Sequence, residues 1–483
     1  MSTSELDSIL QKLVQLQDIP QKISLCRQAL RLVGKEDQPR RWAYLHFILG
    51  TNLGQNLLGE RADNLEQSIF HLEQALEVCT RESSPELWAG IQINLGSSYS
   101  QRIRGDRPEN LEQAIRCHSQ ALKIFTRDRF PKDWAAIQDN LGGAYKFRII
   151  GEQAENLEKA IEYFQKALEI RTKQELPQDW ARTHNNLGVA YSDRIRGDRA
   201  DNIEQAIKHF HMALEVRTRD ALPKDWATTQ NNLGATYEKR IRGERAENIE
   251  QAISHHQQAL EIRTREYYPE GWAQSHKNLG DAYIKRSQGD RAENIEQAIL
   301  HCRQALEVFT LQGFPEMYAM AQINLANAFH SRLRGERAEN IEQAIFHYQQ
   351  ALDVCTPQTY SEMWARTQNN LANVYCDRIR GNPADNIEQA LHCCQLALEV
   401  ATKNNFPETW GRINASLGTA YLHRIYGDRT DNFERAIYHC QQALEIITYQ
   451  NFSIQWANIQ HELGLAYGRR ISGERGTNIE EAI

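Results

Sequence analysis

The stretch RIRGERAENIEQAI, from Arg240 to Ile253, carries the reading of the whole chain. It crowds three arginines, three glutamates and a glycine into a short space. Such a segment is either a grip for phosphate or the turn between two helices. Nearly the same words recur as RIRGDRADNIEQAI from Arg194, RLRGERAENIEQAI from Arg332 and RIYGDRTDNFERAI from Arg424. Repetition of this kind overrides length as a guide to domain count. Arg240, Arg242 and Arg245 are balanced in number by Glu244, Glu247 and Glu250, which leaves no net field for phosphate. A salt-bridged turn is the better reading.

The tryptophans set the period. They stand at Trp42, Trp88, Trp134, Trp180, Trp226, Trp272, Trp364, Trp410 and Trp456, with Tyr318 in the one gap, and each step is 46 residues. With the aromatic residue as position 0, proline lies at −3 in most repeats, for example Pro223 before Trp226. Leu233, Gly234 and Tyr237 follow Trp226 on one stripe at helical spacing. Proline suits the first turn of a helix, where its missing N–H is not needed. This predicts a helix A from about Pro223 to Arg242, closed by Gly243 in left-handed geometry. Asn248 is then expected as the N-cap of a helix B, with Glu250 in its first turn. Ala252, Ile253, His256, Ala259, Leu260 and Ile262 would form the buried face of helix B.

Composition agrees with a folded array. Of 483 residues, 41% are hydrophobic and 25% charged, which excludes a disordered chain. Lys plus Arg number 56 against 63 for Asp plus Glu, so a net charge of −7 is thinly spread and nucleic acid is a poor partner. No stretch approaches the roughly 18 apolar residues of a membrane span, and no basic-then-apolar leader opens the sequence. Nine cysteines, none in a CxxC pair, fall inside helical patterns. A reducing cytoplasm is the expectation.

The words Leu187, Gly188 and Tyr191 on one helix, then Ala206, Phe210 and Ala213 on the next, resemble the tetratricopeptide repeat. The pattern covers nearly the whole chain, about ten times over. It departs from the family in its 46-residue period, against about 34, and in placing tryptophan one turn earlier. The long form is similar to repeat regions of bacterial CHAT-domain proteins and of kinesin light chains. The resemblance implies an all-α solenoid of stacked antiparallel helix pairs forming a right-handed superhelix, with helix A on the concave side. Residues 1–36 read as an N-terminal capping helix pair, with Asp18 as N-cap, Pro20 in the first turn and Cys26, Ala29 and Leu30 inward. Residues 37–483 read as about ten repeats, the last truncated in helix B.

Position +6 holds asparagine in seven successive repeats: Asn94, Asn140, Asn186, Asn232, Asn278, Asn324 and Asn370. Asparagine is mildly unfavourable within a helix, so seven in register need a reason. An amide donates and accepts, and a ladder of them can hold the backbone of an extended peptide irrespective of its sequence. The alternative is that each bonds to a neighbouring helix and fixes the stacking. Position +5 varies more and includes Asn185, Asn231 and Asn369; position +16 is often arginine, as at Arg196, Arg242 and Arg334. These arginines would favour an acidic peptide in the groove, or else pair with the acids of the turns.

Other constellations carry less. Histidine recurs at +29, as His71, His209, His255, His301, His347 and His439. Successive copies lie about 10 Å apart by helix packing, too far for a shared metal. Cys302, Cys394 and Cys440 at +30 read as small core residues. No Walker loop, HExxH or zinc spacing is present, so no catalytic residue, metal or cofactor is expected. The function expected is a protein-interaction scaffold that binds a peptide or partner surface in the concave groove, as the sensor arm of a longer effector in one version. The alternative is a self-assembling array, stacking head to tail through Trp456, Leu463, Tyr467 and Ile479.

Overall fold

A computed structural model gives the structure and describes residues 2–470 together with Gly473, Thr477 and Glu480. The described residues form 21 α-helices and no strand. The chain divides into two units, Met1–Arg242 and Gly243–Ile483. In the first, α1 (Ser2–Gln15) and α2 (Ile19–Leu30) precede the pairs α3 (Pro39–Gln55) with α4 (Arg61–Leu76) and α5 (Pro85–Gln101) with α6 (Arg107–Ala121). The pairs α7 (Pro131–Lys146) with α8 (Gln153–Leu168) and α9 (Pro177–Asp193) with α10 (Arg199–Leu214) follow, then α11 (Pro223–Glu238). The second unit holds α12 (Arg245–Leu260), then α13 (Pro269–Lys285) with α14 (Arg291–Leu306) and α15 (Pro315–His330) with α16 (Arg337–Leu352). It continues with α17 (Ser361–Cys376) and α18 (Pro383–Val400), α19 (Pro407–His423) and α20 (Arg429–Leu444), and α21 (Tyr449–Arg469).

Helix A begins at its proline, as expected, in α3, α5, α7, α9, α11, α13, α15 and α19. Its glycine at +8 has a packing role. A Cβ on Gly142 would lie 2.6 Å from the Phe164 ring, and one on Gly188 2.7 Å from Phe210. The missing side chain lets helices A and B of one pair approach until the aromatic ring fills the gap. Leu6, Ile9, Leu13, Ile23 and Cys26 of the N-terminal helices pack with Leu45, Leu49 and Leu53 of α3. Asp18 caps α2, its carboxylate accepting from the Gln21 N–H at 2.7 Å.

The turns differ from the sequence reading in two ways. The glycine is left-handed, with φ of 79° at Gly243 and 80° at Gly335. But α11 stops at Glu238, earlier than Arg242, and the glycine lies in the loop beyond. Helix B starts before its asparagine: Glu244 is the N-cap of α12, and Asn248 is buried inside the first turn. The equivalent amides show why a buried asparagine is needed. Asn202 Nδ2 donates to the Arg196 carbonyl at 2.9 Å, and Asn340 Nδ2 to the Arg334 carbonyl at 2.9 Å. Each loop folds back over the helix that follows it, and an amide satisfies its carbonyl.

The second difference concerns charge. Arginines and acids do pair, but between repeats instead of within one turn. Arg240 meets Glu204 through Nε at 2.8 Å and Nη2 at 3.1 Å, and Arg242 meets Asp201. Arg332 meets Glu296 in the same bidentate way, at 2.8 and 3.1 Å. The pattern recurs from Arg102–Glu66 to Arg470–Glu434, always with the acid 36 residues earlier. The third face of the guanidinium touches the turn asparagine, as Arg194 Nη1 does Asn202 Oδ1 at 3.2 Å. Its flat side lies against the tyrosine at +11, with Arg194 Cζ 5.8 Å from the Tyr191 ring centre. The quoted stretch is thus both a turn and the bolt that fastens one repeat to the next.

Candidate functional site

The asparagines at +6 lie on helix A, with the turn arginines above them and the buried +5 residues behind. Asn94, Asn140, Asn186, Asn232, Asn324 and Asn370 are half-buried, and Asn278 is buried. Their bonding is not uniform. Asn94 Nδ2 donates to the Gly90 carbonyl of its own helix at 3.2 Å. Asn232 Nδ2 donates across to Asn185 Oδ1 at 3.3 Å, Asn324 Nδ2 to the Lys277 carbonyl at 3.5 Å, and Asn278 accepts from Gln274 at 3.0 Å. Asn140 and Asn186 line one cleft of about 960 Å³ in the first unit. Asn369 and Asn370 line a second, of about 330 Å³, with Arg366 and Arg412.

Position +5 faces inward. Asn185, Asn231 and Asn369 are 6–8% exposed, and Asp139 is 5% exposed. Asp139 accepts from Thr183 Oγ1 at 3.0 Å and pairs with the buried Arg171 at 3.1 Å and with Arg182 at 3.3 Å. Asn185 accepts from Thr229 Oγ1 at 3.2 Å, while Arg217 donates to that hydroxyl at 3.1 Å. Where +5 is Ile93, the place of Arg171 is taken by Phe125, which is apolar. In these two repeats the polar residue at +5 is matched by a buried arginine 32 residues later, directly for Asp139 with Arg171 and through the Thr229 hydroxyl for Asn185 with Arg217; at Lys277 and Asn369 that place holds Phe309 and Ala401.

Of the +16 arginines, Arg242 and Arg334 reach back to Asp201 and to Glu293, the latter at 3.1 Å; about half of each side chain is exposed. Arg196 lies close enough to Glu155 to help hold its carboxyl below the usual range, after the Lys159 hydrogen bond. Trp456 and Leu463 are half-buried against Cys440 and Ala443, and Tyr467 is likewise half-buried. Ile479 and most of the final GTNIEEAI lie outside the described residues.

Histidine forms an arrangement that spacing along the +29 row does not reveal. The +4 position supplies a second ring within the same repeat: His46 and His71 approach Nδ1 to Nδ1 at 2.9 Å. His184 with His209 and His276 with His301 do so at 2.8 Å. One ring donates and the other accepts, an arrangement that two neutral rings satisfy. Burial holds His46, His71, His184, His209 and His276 down at about 4, and lowers His301. In other repeats an amide takes the +4 place: Gln322 faces His347 at 2.7 Å and Asn414 faces His439 at 2.9 Å. The signal was present as a 25-residue spacing between histidines of paired helices. Among the described residues no three His, Cys, Asp or Glu side chains gather as metal ligands do, and no helix is long and apolar enough to cross a membrane.

Residues 364–406 match the family model of the tetratricopeptide repeat, and residues 92–123, 138–169, 181–215, 227–261, 319–353 and 414–445 match that of the Sel1 repeat. The chain is an array of tetratricopeptide-like repeats. Such repeats are in general protein-interaction scaffolds. The array is similar to a chain of the APC/C hetero-tetramer Cut9–Hcn1, at 15% identity over 95% of this chain and 92% of that one, with a TM-score of 0.41. It is similar to apo RapI at 14% identity, over 83% of this chain and 98% of that one, with a TM-score of 0.47. BtubC (BKLC) from P. vanneervenii gives 22% identity over 53% and 91%, with a TM-score of 0.34. A search of curated proteins finds no match.

Proposed function

We propose that the array holds an extended segment of a partner protein along its helix-A faces, with the +6 asparagines as the backbone clamp. The observation that carries this reading is the pair Asn140 and Asn186. They stand one repeat apart, half-buried in the same cleft, and among the described residues their side-chain amides have no hydrogen-bond partner. An amide held on a helix and left open is a preorganised donor and acceptor for a peptide group. Asn94 and Asn232 extend the ladder within the first unit, and Asn278, Asn324 and Asn370 form its counterpart within the second. Asn185, Asn231 and Asn369 stand behind it and fix its pitch. Arg196, Arg242 and Arg334 set the charge at the turn edge. Joined to an effector domain, the same ladder serves as its sensor arm.

The test is peptide-display selection on the full chain, counter-screened with Asn94, Asn140 and Asn186 changed together to Ala. Peptides selected by the parent are expected to lose binding to the variant, while its helical circular dichroism is unchanged. Equal binding to both proteins rejects the clamp. Loss of helical signal in the variant assigns the asparagines to stacking instead.

A further inference from the structure

The 960 Å³ cleft of the first unit has a second feature that the ladder does not use. Its charged lining is unbalanced: Arg61, Arg102, Arg107 and Arg182 face one carboxylate, Asp139. Two of these cations are already neutralised, Arg102 by Glu66 and Arg182 by Asp139 and Asp179. The other two bond only to neutral oxygens. Arg61 donates to the Asn56 carbonyl at 3.1 Å and to Gln101 Oε1 at 2.7 Å, and Arg107 donates to the Ser100 carbonyl at 2.6 Å.

Like Arg199 and Arg291, Arg107 donates to the carbonyl seven residues before it. In two repeats the first arginine of helix B also finds an acceptor 40 residues on: Arg61 finds Gln101, and Arg337 finds Asp377 at 3.7 Å. For Arg107 that position is Phe147, which accepts nothing. Phe147 stacks instead with Lys146, whose Nζ lies 4.2 Å from the ring centre, and the ring stays 57% exposed. Ile103 is exposed on the same cleft. The floor is open at Gly143, where an added Cβ meets nothing within 4 Å. Beside it His118 is buried, with its Nδ1 unbonded, at a position where Phe164 and Phe210 stand in the next two repeats.

We propose that this cleft binds a carboxylate carried on an apolar body, with the carboxylate on Arg107 and Arg61 and the apolar part against Phe147 and Ile103. Guanidinium forks match carboxylate geometry, and an arginine without an internal acid keeps that capacity for a ligand. The exposed ring and aliphatic side chain bury their apolar surface only when such a ligand is present. The subsite shares the cleft with Asn140 and Asn186 but rests on different groups, so it stands whether or not the asparagine clamp does. The carboxylate has two sources, a free organic acid or an acidic side chain of a polypeptide.

The experiment is calorimetric titration of the full chain at fixed ionic strength with phenylacetate, inorganic phosphate, and a heptapeptide of glutamate and phenylalanine blocked at both ends. Saturable binding is expected for phenylacetate and the peptide. Arg107→Gln is expected to weaken it about tenfold, the worth of one charge-assisted contact. Phe147→Gln keeps the charge but gives Arg107 the internal partner that Arg61 has in Gln101, and is expected to weaken binding too. Arg199→Gln, in the equivalent position of α10, is the control and leaves binding unchanged. A peptide that binds tighter than phenylacetate, and loses this advantage with Asn140 and Asn186 changed to Ala, identifies a polypeptide ligand. Equal affinities identify a free acid. Absence of saturation with both carboxylates, unchanged affinity in Arg107→Gln, or equal loss in Arg199→Gln overturns the site. Phosphate binding as tight as phenylacetate overturns the apolar half of it.

Discussion

The behaviour of single residues here is set by neighbours far along the chain. Arg332 illustrates it: its fork closes on Glu296 and its third nitrogen on Asn340 Oδ1 at 3.4 Å. The pair is partly buried, at 29% and 23% side-chain exposure, so it is worth more than a free surface ion pair. Arg332→Ala is expected to lower stability by about 1–2 kcal/mol. A double-mutant cycle with Glu296→Gln in thermal unfolding checks it, and additive losses would show the pair to be uncoupled.

The histidine pairs carry a pH dependence whose sign follows from burial. Folded, His184 titrates near 4; unfolded, it titrates at its ordinary value of about 6.5. Between these values the unfolded chain binds more protons, so stability is full above pH 6.5 and falls as pH drops toward 4. Thermal midpoints are expected to decline over this window. His184→Gln should keep the bond to His209, as Gln322 does to His347, and make the decline shallower. A variant with the parent's slope would show that the pair does not govern the acid limb.

At the scale of the helix, two adjacent glycines on α7 separate packing from propensity. Gly142 touches the Phe164 ring and Gly143 faces open space. Gly→Ala in a helix gains about 0.5–1 kcal/mol from the backbone. At Gly143 nothing opposes that gain, so Gly143→Ala should raise the melting temperature. At Gly142 the new methyl would meet the ring at 2.6 Å, and overpacking costs about 1–3 kcal/mol, which exceeds the gain. Gly142→Ala should therefore destabilise. Equal shifts for the two variants would contradict the helix-A to helix-B spacing. The sequence marked Gly142 as part of the Leu-Gly-x-x-Tyr word, but only the contact with Phe164 says why it must be small.

Across the whole array, each repeat is fastened to the next by the same bolt, so losses at separated bolts are expected to add. Arg332→Ala and Arg424→Ala share no partner, and their combined cost should equal the sum within about 0.5 kcal/mol. A larger loss in the double variant would mean that bolts act in concert along the second unit. By itself the sequence determined the period, the two helices in each repeat, the proline that opens helix A and the left-handed glycine of the loop. These follow from local rules: apolar spacing, a missing N–H and a missing Cβ. It also determined that the arginines of the turn would be matched by acids. Which acids was decided only by tertiary structure, because a repeat stacked on its neighbour brings Arg240 to Glu204 and leaves Glu250 for Arg286. The same holds for Asn185 and Asn186. They are neighbours in sequence and alike in chemistry, but a helix turns about 100° per residue, so one enters the core and the other lines the cleft.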